Sequence, residues 1–120
     1  MLVKINNSEF KVKVCNSPRE IATGMMNRNF TDFNGMLFFM KDKLHSFWMK
    51  NCIIPLDIIF IDNNLIITSI HHNCEPCESE PCDNYEGKGK YVLEVPSGTC
   101  KTEDINEGDN CEFIFEIQNH

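Results

Sequence analysis

A chain of 120 residues with 42% hydrophobic and 24% charged side chains has the size and mix of one ordinary globular domain with a single core. Its 18 acidic against 11 basic side chains, a net charge of -7 and a pI near 5.0 argue against nucleic acid as a partner, since affinity for phosphate backbones comes from Lys and Arg replacing condensed counterions. No run approaches the roughly 18 apolar residues that cross a bilayer, and the first ten residues lack a charged-then-apolar leader. A cytoplasmic location is therefore the expectation, with export left open.

Leu2 to Ile5 and Glu9 to Cys15 read as a hairpin about Asn6-Asn7-Ser8. Phe10, Val12 and Val14 alternate with Lys11 and Lys13, as in a strand with one wet face. Ser17-Pro18-Arg19-Glu20 supplies a Ser cap, Pro at the first helical position and Glu three residues after the cap, so that two side chains satisfy free backbone N–H groups. The helix is expected from Pro18 to about Met26, with Ile21 and Met25 facing the core and Gly24 permitting close packing or an early end. After a loop from Asn27 to Asn34, the run Gly35 to Met40 is continuously apolar, as a short strand covered on both faces is. Lys41-Asp42-Lys43 is expected to turn the chain, and His45 to Lys50 to pair back on that strand.

Ile53-Ile54-Pro55 must leave the ladder, because Pro55 has no N–H to donate and holds Ile54 extended. Leu56 to Ile61 and Leu65 to His71 form a second hairpin about Asp62-Asn63-Asn64, residues that tolerate positive φ. From His72 to Lys90 the sequence turns polar, with two Pro, two Gly and three Cys, and reads as a long cysteine-rich loop that is functional, stapled or mobile. Tyr91 to Val95 is a strand, Pro96-Ser97-Gly98 a turn, Thr102 to Ile105 one helical turn, and Cys111 to Ile117 the last strand. About eight short strands and one short N-terminal helix predict a mostly β fold, an antiparallel barrel-like or sandwich domain spanning residues 1–120, because so many edges must be paired or covered.

Taken in order, GMM at Gly24 to Met26, GMLFFM at Gly35 to Met40, FWMKNCIIPLDIIFID at Phe47 to Asp62 and KYVLEVPSG at Lys90 to Gly98 resemble the domain of unknown function 192 family. Glu107-Gly108-Asp109 is similar to its closing Gly-Asp turn, and the resemblance runs from residue 10 to residue 117. It implies a small β-rich domain, widespread in bacteria and archaea, often secreted or lipid-anchored, with no established biochemical activity. The chain departs from the family pattern in two places. Cys52 stands where the family usually has Thr after the Lys-Asn pair, so a weaker S–H donor replaces a hydroxyl. The chain as given also shows no leader such as exported relatives carry.

Two stretches hold candidate chemistry. The first groups Lys50, Asn51 and Asp57 about the Pro-enforced bend. Such a bend can aim polar groups into a cleft, where Lys50 binds an anion and Asp57 serves as base or metal ligand, with Trp48 as a stacking face. The simpler reading, weighted above it, has Asn51 tying down exposed backbone, Lys50 and Asp57 paired or solvated, and Trp48 in the core. The second stretch is His71 to Cys82. Cys74 and Cys77 have the C-x-x-C spacing that binds tetrahedral Zn²⁺, and His72 with Cys82 completes one set of four ligands. A downstream ligand pair is absent, and the resemblance points elsewhere. Other members carry a pair with the C-x₄-C spacing of Cys77 and Cys82, where a disulfide stapling the loop is the simpler reading, contributing about 2 kcal/mol by loop closure. Disulfide, free thiols and metal stand in that order of weight.

A redox thiolate is not expected, because no helix N-terminus follows Cys77 and Glu75, Glu78 and Glu80 raise thiol pKa values. Cys15, Cys52, Cys100 and Cys111 lie in or beside apolar segments and read as small core residues. Glu94 alternates with Leu93 and Val95 and reads as a solvent-facing or paired carboxylate. No nucleophile elbow, phosphate loop, zinc-protease helix or dinucleotide fingerprint occurs. The expected function is non-catalytic binding of a small ligand or protein partner through a cleft near Phe47 to Asn51, without a cofactor. A structural role in a larger assembly, viral or envelope-associated, and a hydrolase using Asp57 and Lys50 are the alternatives.

Overall fold

In the computed structural model, which describes residues 1–116, a turn at Asn6-Asn7 joins β1 (Leu2–Ile5) to β2 (Ser8–Cys15), setting Val3 opposite Phe10. Phe10 and Val12 are buried and Lys11 and Lys13 exposed. The helix α1 (Pro18–Thr23) starts as its cap dictates: Ser17 Oγ accepts the Glu20 N–H at 3.2 Å, and Glu20 Oε1 accepts the Ser17 N–H at 3.1 Å. It stops short of the expected Met26, because Gly24 turns out of the helix at φ 46°.

Beyond α1 the chain enters β3 (Gly35–Phe47) beside β2 and parallel to it, Val12 opposite Gly35 and Cys15 opposite Phe38. A purely antiparallel sheet is thus corrected, since a connection containing a helix is long enough to return the chain in the same direction. The strand also runs on through Lys41-Asp42-Lys43, where Asp42 is the one residue of a turn-favouring type and no Gly, Pro or Asn stands beside it. Its two halves do not pair with each other. Both pair with β6 (Tyr85–Pro96), from Met36 opposite Glu94 to Phe47 opposite Tyr85, with an irregularity between Phe39 and Lys43.

The strands β4 (Leu56–Ile61) and β5 (Ile67–Cys74) form the second hairpin, its turn held by Asp62 Oδ1, which accepts the N–H groups of Asn64 at 2.8 Å and Ile66 at 3.0 Å. Because β5 reaches Cys74 and β6 begins at Tyr85, the polar loop shrinks to residues 75–84. Its two glycines belong to a strand instead. A Cβ on Gly87 would meet the Phe60 ring, and one on Gly89 would lie 2.7 Å from the Ile61 carbonyl oxygen. Glycine here marks close backbone approach, not a loop. Gly89→Ala is expected to lower stability by about 2 kcal/mol, since the obstacle is backbone and cannot rotate away. Urea unfolding checks this, with the exposed Lys88→Ala as the near-neutral control.

After β6, α2 (Thr99–Thr102) comes earlier than the expected turn at Thr102 to Ile105 and buries Cys100, so the described residues hold two short helices. The strand β7 (Cys111–Ile114) pairs with β1; Ile117, assigned to it by pattern, lies outside the described residues. The strands make one sheet in the order β5-β4-β6-β3-β2-β1-β7. It curls until its edges meet, where Ile66 bridges Asn110 and the Cys111 N–H donates to the Leu65 carbonyl at 2.7 Å.

The middle of the sheet is buried on both faces. Val3, Phe10, Leu37, Ile59, Leu93 and Val95 belong to the core on one side. Met36, Phe38, Ile58, Phe60 and Val92 form the other, closed over by Met25, Met49 and Cys52 from the connecting segments. The polar interruption at Lys50-Asn51-Cys52 is therefore part of a cover laid over a strand face. Among the described residues, no helix is long and apolar enough to cross a membrane.

Candidate functional site

Near the C-terminal end of β6, Glu94 lies between Met36 of β3 and Ile58 of β4. Alternation does put Leu93 and Val95 on the opposite face, but the face left to Glu94 is covered by protein, and the residue is only 4% exposed. The expected solvent-facing or paired carboxylate is corrected, because the residue is almost wholly covered and its carboxyl makes no hydrogen bond or ion pair among the described residues. Burial alone pushes its pKa up from 4.5 to about 8, since the charged form loses its hydration. At neutral pH the group is mostly a neutral acid.

Above Glu94 a cavity of about 220 Å³ opens between α1 and the end of β3. Met25, Met26, Phe38, Phe47 and Trp48 give it apolar walls, with Thr23 and Ser46 at its polar edge. Phe47 packs edge-on against Phe38 and Phe60, with centroids 5.2 and 5.9 Å apart, which holds one wall in place. Trp48, at 39% exposure, is half in the cavity and half in solvent. Cys52 also lines it, its thiol raised to about 11 first by burial and then by the nearby Glu94, so it stays a protonated thiol and a poor nucleophile.

The residues grouped by the sequence do not converge. Asp57 is fully buried. Its Oδ1 accepts the N–H groups of Asn73 at 2.9 Å and Gly98 at 3.3 Å, while Oδ2 accepts that of Cys100 at 3.0 Å. A carboxylate so occupied ties the start of β4 to the end of β5 and to α2, and is not open to a substrate. Lys50 lies elsewhere, its Nζ 2.9 Å from Glu80 Oε2 and 5.3 Å from the Trp48 ring centroid. Asn51 acts through its backbone at φ 61°, donating to the Cys77 carbonyl at 3.0 Å and accepting from the Asn27 N–H at 2.8 Å. Of the four, only Trp48 lines the cavity.

Cys77 and Cys82 are joined in a disulfide that closes the loop carrying Glu80. With those sulfurs bonded to each other, the zinc set of His72, Cys74, Cys77 and Cys82 is not assembled; His72 is exposed and the buried Cys74 directs its Sγ to the His71 carbonyl at 3.5 Å. Burial raises Cys74, Cys100 and Cys111 to about 12 and Cys15 to about 11, which fits small core residues and not thiolates.

These features define a small β domain with an aromatic-walled cavity over one buried acid. The chain belongs to the domain of unknown function 192 family, whose model, described as "Uncharacterized ACR", matches residues 1–113. A protein of unknown function from Novosphingobium aromaticivorans DSM 12444 has a similar crystal structure, with a TM-score of 0.82 and 30% identity over 93% of this chain and 84% of that one. So does a protein from Sinorhizobium meliloti 1021 described as a "putative transcription regulator", with a TM-score of 0.80 and 30% identity over 92% of this chain and 91% of that one. No curated protein matches.

Glu94 is not legible as a site residue from β6 alone. A signal is present in the apolar runs Met36 to Met40 of β3 and Ile58 to Ile61 of β4, which announce strands buried on both faces. A carboxylate on a strand between two such neighbours has no wet side to face.

Proposed function

We propose that this domain is a non-catalytic binder that takes a small ligand into the cavity under Trp48. The observation that carries the reading is the Glu94 carboxyl, which lines an otherwise largely apolar cavity and makes no hydrogen bond to the described residues, because such a pocket fixes its ligand through a few convergent polar groups. At about 220 Å³ the cavity lies below the range of drug-sized sites, so the ligand has a compact apolar body and one polar group. The protonated state of Cys52 and the occupied oxygens of Asp57 favour binding over a hydrolase using Asp57 and Lys50. The excess of acidic side chains speaks against this domain contacting DNA, whatever role its Sinorhizobium neighbour has.

The Cys77–Cys82 bond is of the kind that persists where thiols are not kept reduced. It supports work outside the reducing cytoplasm, against the expectation from the N-terminus.

Trp48 is the only tryptophan in the chain, so its fluorescence reports directly on the cavity. Titration with small aromatic and aliphatic compounds is expected to shift Trp48 emission saturably in the wild type. Ala22→Phe, which places a ring at an exposed lining position, is expected to weaken that response at least tenfold with the fold intact by circular dichroism. An unchanged titration in this variant would place binding elsewhere.

A further inference from the structure

Resting on the reading of this cavity as a ligand site, we infer that its ligand class is the small organic ammonium, with the nitrogen on the Glu94 carboxylate and the apolar body between Phe38, Phe47 and Trp48. Three observations point to a cation. The carboxyl is 4% exposed and lines the cavity, and among the described residues no Lys, Arg or His lines it. The neighbours of Glu94 are Met36 on β3 and Ile58 on β4, the α1 end brings Ile21, Thr23 and Met25, the end of β3 brings Phe47, and the segment after it brings Cys52. The titratable groups that sense its charge are the thiols of Cys15, Cys52 and Cys74, all protonated. Lys50 is not among the residues lining the cavity, and its Nζ pairs with Glu80.

The second observation is the aromatic lining, since ring faces attract a desolvated cation but give no such preference to a neutral or anionic group. Trp48 already holds one ammonium near its ring, that of Lys50 at 5.3 Å. The third is the net charge of -7, which concentrates cations around the molecule and repels carboxylate or phosphate ligands.

Binding is coupled to a proton. The empty site holds Glu94 as the neutral acid; when the ammonium enters, the carboxyl O–H bond breaks, its proton passes to buffer, and the carboxylate left behind pairs with the ligand's charge. One proton is released for each ligand bound below the raised pKa of about 8. Affinity for an ammonium should therefore rise about tenfold per pH unit from pH 6 toward 8 and then level off.

Calorimetric titration of the full chain with benzylamine and its neutral isostere benzyl alcohol, at pH 6, 7 and 8 and in two buffers of different ionisation enthalpy, tests this. The expected result is that benzylamine binds at least tenfold tighter than the alcohol at pH 8, gains affinity with pH and releases close to one proton at pH 6. Glu94→Gln should reduce that binding by at least tenfold while changing the alcohol's less than threefold. Ala22→Phe should weaken both. If the alcohol binds as well as the amine, with no pH slope, the cation inference falls while the cavity reading stands. If neither binds at millimolar concentration, both fall.

Discussion

Asp57→Ala is expected to remove about 4 kcal/mol of stability, because it leaves one buried and two part-buried backbone N–H groups without an acceptor at a cost of about 1–3 kcal/mol each, partly relieved by entering water. The three donors come from Asn73, Gly98 and Cys100, so the loss falls on the joint between the β4–β5 hairpin and the stretch that follows β6. Asp57→Asn separates charge from geometry. It can keep the two bonds made by Oδ1, but an amide N–H₂ then faces the Cys100 N–H, and about 2 kcal/mol should be lost. Guanidinium unfolding of the three proteins measures the series. A loss below about 1 kcal/mol for the alanine variant would show that the carboxylate is not the clamp described above.

Glu94 should set the pH dependence of stability. Its pKa in the folded protein is raised to about 8 against an ordinary 4.5, so between those values the unfolded chain ionises it while the folded chain keeps it protonated. The folded state then binds more protons, and stability falls with rising pH. It is unaffected by Glu94 below pH 4.5, declines by up to about 1.4 kcal/mol per unit across the window, and is flat above pH 8. A span of 3.5 units corresponds to an upper bound of about 5 kcal/mol. Glu94→Gln, which cannot ionise, should abolish this decline and be the more stable protein at pH 8.5 by several kcal/mol. Urea midpoints at half-unit steps from pH 4.5 to 9 measure it. Parallel profiles for the two proteins would mean that Glu94 is not a buried acid.

The two acids reverse the roles that their sequence positions suggested. Asp57, beside a bend and near Lys50, looked like a site residue, yet its environment is made by backbone donors from residues far along the chain. Glu94, flanked by Leu93 and Val95, looked like a wet surface group. In the folded protein the first is a structural joint and the second is the polar member of the cavity. Position along a strand tells which way a side chain points, but not what stands there.

The same limit explains the errors in topology. The Asn6 and Asp62 turns, the Ser17 cap and the buried β4 run were legible because each depends on residues within a few positions of one another. The passage of β3 through Lys41-Asp42-Lys43 was not, because what keeps it extended is β6, about fifty residues later. Gly87 and Gly89 resemble loop residues in the sequence for a related reason: the Phe60 ring and Ile61 backbone that exclude a side chain there belong to β4.

By itself, then, the sequence determined the family, the mostly β class, the capped helix and the two hairpins, all products of local pattern and short-range hydrogen bonding. Only the tertiary structure decided the parallel β2–β3 pair, the three donors that close on Asp57, and the cover that α1 and the segment after Phe47 lay over Glu94. These depend on surfaces brought together across long stretches of chain, where burial, not sequence neighbourhood, sets the chemistry of a carboxyl group.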